Sequence, residues 1–131
     1  MQRRVVGALA GILVLAVVVV ILEWLALRLF PASVSLDLSS RLAKARSVAQ
    51  LPLGTLLLVV ASWVVGPFIG GSVARRIGGN LPALVVTAMG LAGIALNAVA
   101  FPHPPWMLAV GVMGVMAEGW WFLSAELSFR P

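Results

Sequence analysis

The run Val5–Phe30, VVGALAGILVLAVVVVILEWLALRLF, decides the fold, because only Glu23 and Arg28 interrupt its apolar residues. At about 1.5 Å per residue it outreaches the roughly 30 Å hydrocarbon core of a bilayer, so it reads as a transmembrane helix long enough to tilt. Arg3 and Arg4 ahead of an apolar run also suit a signal peptide, but that apolar region should be only about 7–15 residues long and end in small residues. The run is therefore read as an uncleaved first span, with cleavage near Ala32 the lesser alternative. The composition agrees: 62% of the 131 residues are apolar and 10% charged, with nine Lys and Arg against four Asp and Glu, and mean hydropathy is +1.11. A soluble domain carries about 25% charged residues, and so few here exclude a water-filled cleft lined with titratable groups. With no cysteine there is no disulfide, thiolate metal site or cysteine nucleophile. Clustered arginines in so apolar a chain point to topology and anionic lipid, not to nucleic acid.

Three further spans follow. Residues 31–50 are less apolar and carry Asp37, Arg41, Lys44 and Arg46, so they form a surface segment. Leu38, Leu42, Ala45 and Ala49 recur there at helical spacing with Asp37 placed as cap, which predicts a short amphipathic helix lying on the membrane or packed on the bundle. The second span starts near Pro52, a favoured first-turn residue, and runs to Arg75 and Arg76 before Gly78, Gly79 and Asn80 break it. Asn80 can cap the third span, with Pro82 in its first turn, so spans two and three form a tight hairpin. Pro102, His103, Pro104 and Pro105 end the third span, because successive prolines remove amide donors. The fourth runs from Trp106 to about Phe129, with Trp120 and Trp121 near its far end as interfacial aromatics. The expected architecture is a single all-α integral membrane four-helix bundle with spans at about 5–30, 52–76, 82–101 and 106–129.

With the N-terminus inside, Arg3, Arg4, Arg75, Arg76 and Arg130 lie inside and Arg28, Arg41, Lys44 and Arg46 outside. The first span usually dominates topology, and its flanking arginines put both termini in the cytoplasm.

Ionisable groups within the membrane are the first functional candidates, since each is costly unless it pairs, snorkels or reaches water. Glu23 lies near the outer end of the first span, with Arg28 and His103 expected at its level. It reads as a structural charge pair or as a carboxylate that binds a proton or ligand. Glu118 is the deepest acid, either paired with Arg75 or Arg76 or truly intramembrane. Glu126 and Arg130, four apart with the acid first, form a favourable helical pair. Gly7 with Gly11 and Gly66 with Gly70 have the spacing that lets helix backbones approach closely in lipid, with Ala88, Ala92 and Gly93 doing the same on the third span. Pro67, beside Gly66, reads as a kink satisfied by neighbouring helices. Asn97, Thr55, Ser62, Ser72 and Thr87 can hydrogen-bond between helices. No catalytic triad, phosphate loop or metal-spaced cluster is present, so neither metal nor cofactor is expected.

The stretch Gly71–Gly79 resembles the short cytoplasmic turn of major-facilitator transporters, but Arg75 stands where that pattern has an acid and four spans are too few for that fold. The size and a glutamate in the first span resemble small multidrug-resistance transporters, which work as antiparallel dimers around that carboxylate, although Glu23 is nearer the helix end. Most of the chain resembles a loose group of small uncharacterised bacterial four-span membrane proteins. The shared features are Glu23 with Pro31, Leu51-Pro52-Leu53-Gly54, Trp63 with Gly70 to Arg75, and Pro102-His103-Pro104 before an aromatic. That resemblance implies the fold and the bacterial inner membrane and carries no activity.

Two functional expectations follow. The first, and leading, is a non-enzymatic structural or accessory component, either self-associating or attached to a larger membrane complex, motivated by the close-packing glycines, the abundant lipid-facing apolar surface and the few polar groups. The second is a small oligomeric transporter that uses Glu23 or Glu118, with Pro67 as its flexible point.

Overall fold

The computed structural model describes residues 1–31 and 37–127, the last three by backbone alone. Its helices are α1 (Gln2–Leu29), α2 (Arg41–Ala49), α3 (Leu53–Gly78), α4 (Asn80–Ala100) and α5 (Pro105–Leu127). All but α2 are long and apolar enough to cross a membrane, so the chain is a multi-pass membrane protein built as a four-helix bundle with a short fifth helix at one end. α3 is central and packs against α1, α4 and α5; α4 also meets α1 and α5, while α1 and α5 stand on opposite flanks. One end of the bundle, the terminal end, holds Met1, the α3–α4 turn and the C-terminal part of α5. The other, the distal end, holds α2 and the turn at 101–104.

The helix limits follow from backbone bonding. The amides of Arg4 and Val5 bond the Met1 carbonyl oxygen, so α1 begins at Gln2, ahead of the expected Val5, and takes both arginines into its first turn. Pro52 is the cap of α3, its carbonyl oxygen accepting from the amides of Thr55 and Leu56. Gly79 has φ 88°, a left-handed conformation that glycine adopts without a Cβ clash, and this one residue reverses the chain. Asn80 is consequently the first residue of α4 instead of its cap, and the helix starts two residues before the expected Pro82. The pair Glu126–Arg130, the end at Phe129 and the cleavage position near Ala32 lie outside the described residues or side chains.

α1 is held to α3 by backbone proximity. A Cβ added at Gly11 would stand 2.6 Å from the Gly70 carbonyl oxygen and 2.7 Å from the Ala74 Cβ, and one at Gly70 would collide with the Gly11 carbonyl oxygen. One helical turn away, Gly7 faces Ala74 and Gly78, while Gly66 faces Val19 and Leu15. Both glycine pairs thus join two helices of the same chain. In lipid, where apolar burial gives no net drive, such contact supplies the dispersion attraction that holds helices together.

Pro67 is buried inside an unbroken α3, and a Cβ at Gly90 would come 2.5 Å from its Cγ, so the proline ring occupies the space that Gly90 leaves on α4. On the other flank the Phe122 ring covers Gly71, and Gly111 lies beneath the Trp63 ring. Ala88, Ala92 and Gly93, expected to bring α4 close to a neighbour, are exposed, and a Cβ on Gly93 would meet nothing within 4 Å. The close-packing residue of α4 is Gly90, because Pro67 fixes which face of α4 turns inward.

α2 differs from expectation in its cap and its buried face. Ser40, adjacent to the first helical residue, is the cap: its Oγ accepts from the Ala43 amide at 3.1 Å. Asp37 is too far back to reach those amides; its Oδ1 accepts from the Ser39 amide at 2.9 Å in a local turn. Hydrogen bonds from the Ser39 hydroxyl and amide hold the Asp37 carboxyl below the usual carboxylate range. The buried residues of α2 are Ser47 and Val48, whereas Leu42 and Ala49 are exposed and Leu38, ahead of the helix, lies at the edge of a cavity beneath it. Val48 joins a core with Leu56, Val60, Trp63, Ile94, Met107 and Val115. The Ser47 hydroxyl oxygen accepts from the Asp37 amide at 3.0 Å, and the Lys44 ammonium donates to the Ala100 carbonyl oxygen at 3.4 Å.

Replacing Gly70 by Val forces the α1 and α3 backbones apart and should cost about 1–3 kcal/mol. Thermal unfolding in detergent should show a lowered midpoint for Gly70→Val and little change for Gly93→Val, which has room; equal effects would contradict the packing described.

Candidate functional site

Two cavities meet at Glu23. The first, of about 340 Å³, is a groove between α1 and α4 floored by α3. Leu15, Val19 and Glu23 recur on α1 at four-residue steps and therefore form one stripe, opposite Met89, Gly90, Gly93 and Asn97 of α4, with Trp63 and Pro67 beneath. The groove stays open at its rim because Gly93 presents no side chain, a Cβ there having nothing within 4 Å. The second, of about 270 Å³, lies at the distal end and is lined by Glu23, Lys44, Ser47, Thr55, Asn97 and His103 with apolar neighbours from α1, α2 and α3. Glu23 and Asn97 line both, so a polar junction stands between an apolar groove at membrane depth and a chamber beneath α2 whose largely apolar wall carries several polar side chains.

The junction is built locally. Glu23 is half-buried and faces the Ser62 hydroxyl, which can also donate to the Val59 carbonyl oxygen of its own helix at 2.7 Å. The Thr55 hydroxyl donates to the Phe30 carbonyl oxygen at 3.0 Å, tying α3 to the end of α1. The Thr87 hydroxyl, expected to link helices, donates to Ala83 of its own helix at 3.1 Å, as short hydroxyl side chains often do. His103 stands edge-on to Trp63, ring centroids 5.1 Å apart. Its Nδ1 is 2.8 Å from the Phe101 carbonyl oxygen, and since a carbonyl only accepts, Nδ1 carries the proton and Nε2 keeps a free lone pair. Burial pushes the His103 pKa below its ordinary value, with the Phe101 bond a smaller opposing effect, so the ring is neutral at pH 7.

Other expected pairings differ. Arg28 lies five residues after Glu23, on another face of α1, and its guanidinium sits 5.2 Å over the Trp24 ring. Arg75 sits 5.4 Å over the Trp121 ring and shares a cavity with Ser72 and Arg76 at the terminal end. Glu118 is therefore not an ion-pair partner for either arginine: it is 7% exposed, and neither of its oxygens has a hydrogen-bond partner. The arginines turn toward their own end of the bundle, while Glu118 projects into the α5 face that carries Val115 and Phe122.

The chamber adds one residue that sequence reasoning used only for topology, Lys44, and gives Asn97, read as packing glue, a place in the site. The available signal was the register of α4, where Gly90, Gly93, Asn97 and Phe101 recur at three- and four-residue steps. The arrangement is a half-buried carboxylate beside an apolar groove, within a four-span all-α membrane bundle. No known protein family, curated protein or solved structure matches the chain.

A proton on His103 is favoured more in the unfolded chain than in the folded one. The stability this gives is therefore complete above the ordinary histidine value of 6.5 and is lost as pH falls below it. Melting temperature should drop from pH 7.5 to 5.5, and His103→Asn should flatten that drop; an identical slope in the variant would contradict the assignment. Replacing the unpartnered Glu118 by Met should stabilise the protein by about 1–3 kcal/mol, read as a raised unfolding midpoint. A lowered midpoint would mean that the carboxyl has a partner.

Proposed function

We propose that this protein is a small non-enzymatic transporter of the bacterial inner membrane, both termini in the cytoplasm, which binds an amine-bearing amphipathic ligand at Glu23. The observation that carries the reading is the single carboxylate shared by the apolar groove and the chamber beneath α2, the latter also lined by Lys44, Ser47 and His103. A carboxylate at that junction attracts a cationic group, and the groove accepts the hydrocarbon attached to it. The orientation rests on the first span, whose Arg3 and Arg4 lie at the same end as Arg75 and Arg76. Of the features that motivate the accessory reading, Gly7, Gly11, Gly66 and Gly70 face helices of this chain, which leaves that reading to the exposed apolar surface.

In liposomes containing the protein, movement of a fluorescent long-chain ammonium compound between the leaflets should be accelerated, and Glu23→Gln should remove at least about 90% of the acceleration. Glu118→Gln, away from the junction, should retain most of it. Equal transfer by the wild-type and Glu23→Gln proteins would overturn the proposal. Extraction in mild detergent as a stoichiometric part of a larger complex would return the weight to the accessory reading.

A further inference from the structure

Glu23 and Lys44 line the same chamber from different helices and form no ion pair with one another. Lys44 makes only a long bond to the Ala100 carbonyl oxygen, 3.4 Å, and stands 5.2 Å over the Phe101 ring. Glu23 faces only the Ser62 hydroxyl. Opposite charges in a partly buried chamber attract strongly, so two that share one and remain apart leave a gap matched by a ligand carrying both signs. Two other polar residues of the chamber offer an acceptor and a donor. His103 offers the Nε2 lone pair, suited to accept from an ammonium with several N–H donors. The buried Ser47 oxygen accepts from the Asp37 amide, which leaves its hydroxyl proton free to donate to an anion beside Lys44.

We infer that the ligand is a phospholipid with a primary-amine headgroup, its ammonium held at Glu23, its phosphate at Lys44 and one acyl chain lying in the groove between α1 and α4. This rests on the reading of Glu23 as a ligand site and deepens it. A primary ammonium brings three N–H donors to the Glu23 carboxylate, the Asn97 side-chain oxygen and His103 Nε2, whereas a trimethylated one brings none. The groove separates a lipid from a free zwitterion, because a soluble headgroup would leave its roughly 340 Å³ empty.

The full chain, purified in mild detergent, is equilibrated with equal amounts of phosphatidylethanolamine, phosphatidylcholine and phosphatidylglycerol of matched chains, and bound lipid is read by native mass spectrometry. The wild-type protein should retain phosphatidylethanolamine about tenfold over either competitor, the difference one charge-assisted hydrogen-bonding group makes. Glu23→Gln and Lys44→Met should each reduce that preference to within about twofold while melting as the wild type does. Free phosphoethanolamine at the same concentration should displace little lipid. Equal retention of the three lipids, an undiminished preference in folded Glu23→Gln, or full displacement by free phosphoethanolamine would each overturn the inference. Dodecylammonium, which has the chain and amine but no phosphate, separates the two levels. Binding to the wild type and Lys44→Met but not Glu23→Gln, without lipid preference, leaves the Glu23 site standing and removes the phospholipid; no Glu23-dependent binding removes both.

Discussion

The backbones of α1 and α3 touch where Gly11 meets Gly70, and the position of nearly every other feature depends on that contact. α1 has no other extensive partner, burying only Gly7, Gly11 and Ala26 along its length. With the two helices in register at Gly11 and Gly70, the stripe Leu15, Val19 and Glu23 turns toward α4, and Glu23 comes level with Ser62. A wider separation would leave that carboxylate in lipid. The cost of placing an acid there is thus met by a packing contact several turns away.

The other flank is set by rings filling the spaces that glycines leave. Pro67 on Gly90, Phe122 on Gly71 and Trp63 on Gly111 orient α4 and α5 about α3. Such fits are short-range and directional, which suits a solvent that rewards no helix for burying its apolar face. They also explain why the groove is open: Pro67 needs Gly90 to face inward, and the same rotation turns Gly93 to the rim.

The spans, their order and their loops were legible because length and hydropathy in a bilayer leave few alternatives. The helix ends shifted by a few residues where a single glycine did the work assigned to a longer turn, as at Gly79. The cap of α2 was misplaced because Asp37 and Ser40 are both good caps in isolation and only adjacency to Arg41 separates them. Its inner face was misread because Leu38, Leu42, Ala45 and Ala49 form the more apolar stripe, while the helix packs through Val48 and the flanking Ser47 and Lys44. Glu23 was visible as a candidate, but its companions were harder to read: Asn97 shares a helical register with Gly90 and Gly93, whereas Lys44 is brought to the site by tertiary packing that no periodicity encodes. The pairing of Glu118 with Arg75 or Arg76 failed because charge and approximate depth do not specify which face of a helix a side chain occupies.

The nine residues of α2 are too few for a stable isolated helix in water, and none of its α carbons comes within 8 Å of another helix. Its attachment to the bundle is made of side chains, Val48 in the core and Lys44 with Ala100, while Ser47 with Asp37 closes the surface segment on itself. The chamber roof and the bundle walls therefore have separate stabilities. Detaching the roof breaks a handful of contacts and no span-to-span interface, so the chamber can be exposed at the distal surface by a sub-global opening while the bundle that holds Glu23 stays folded.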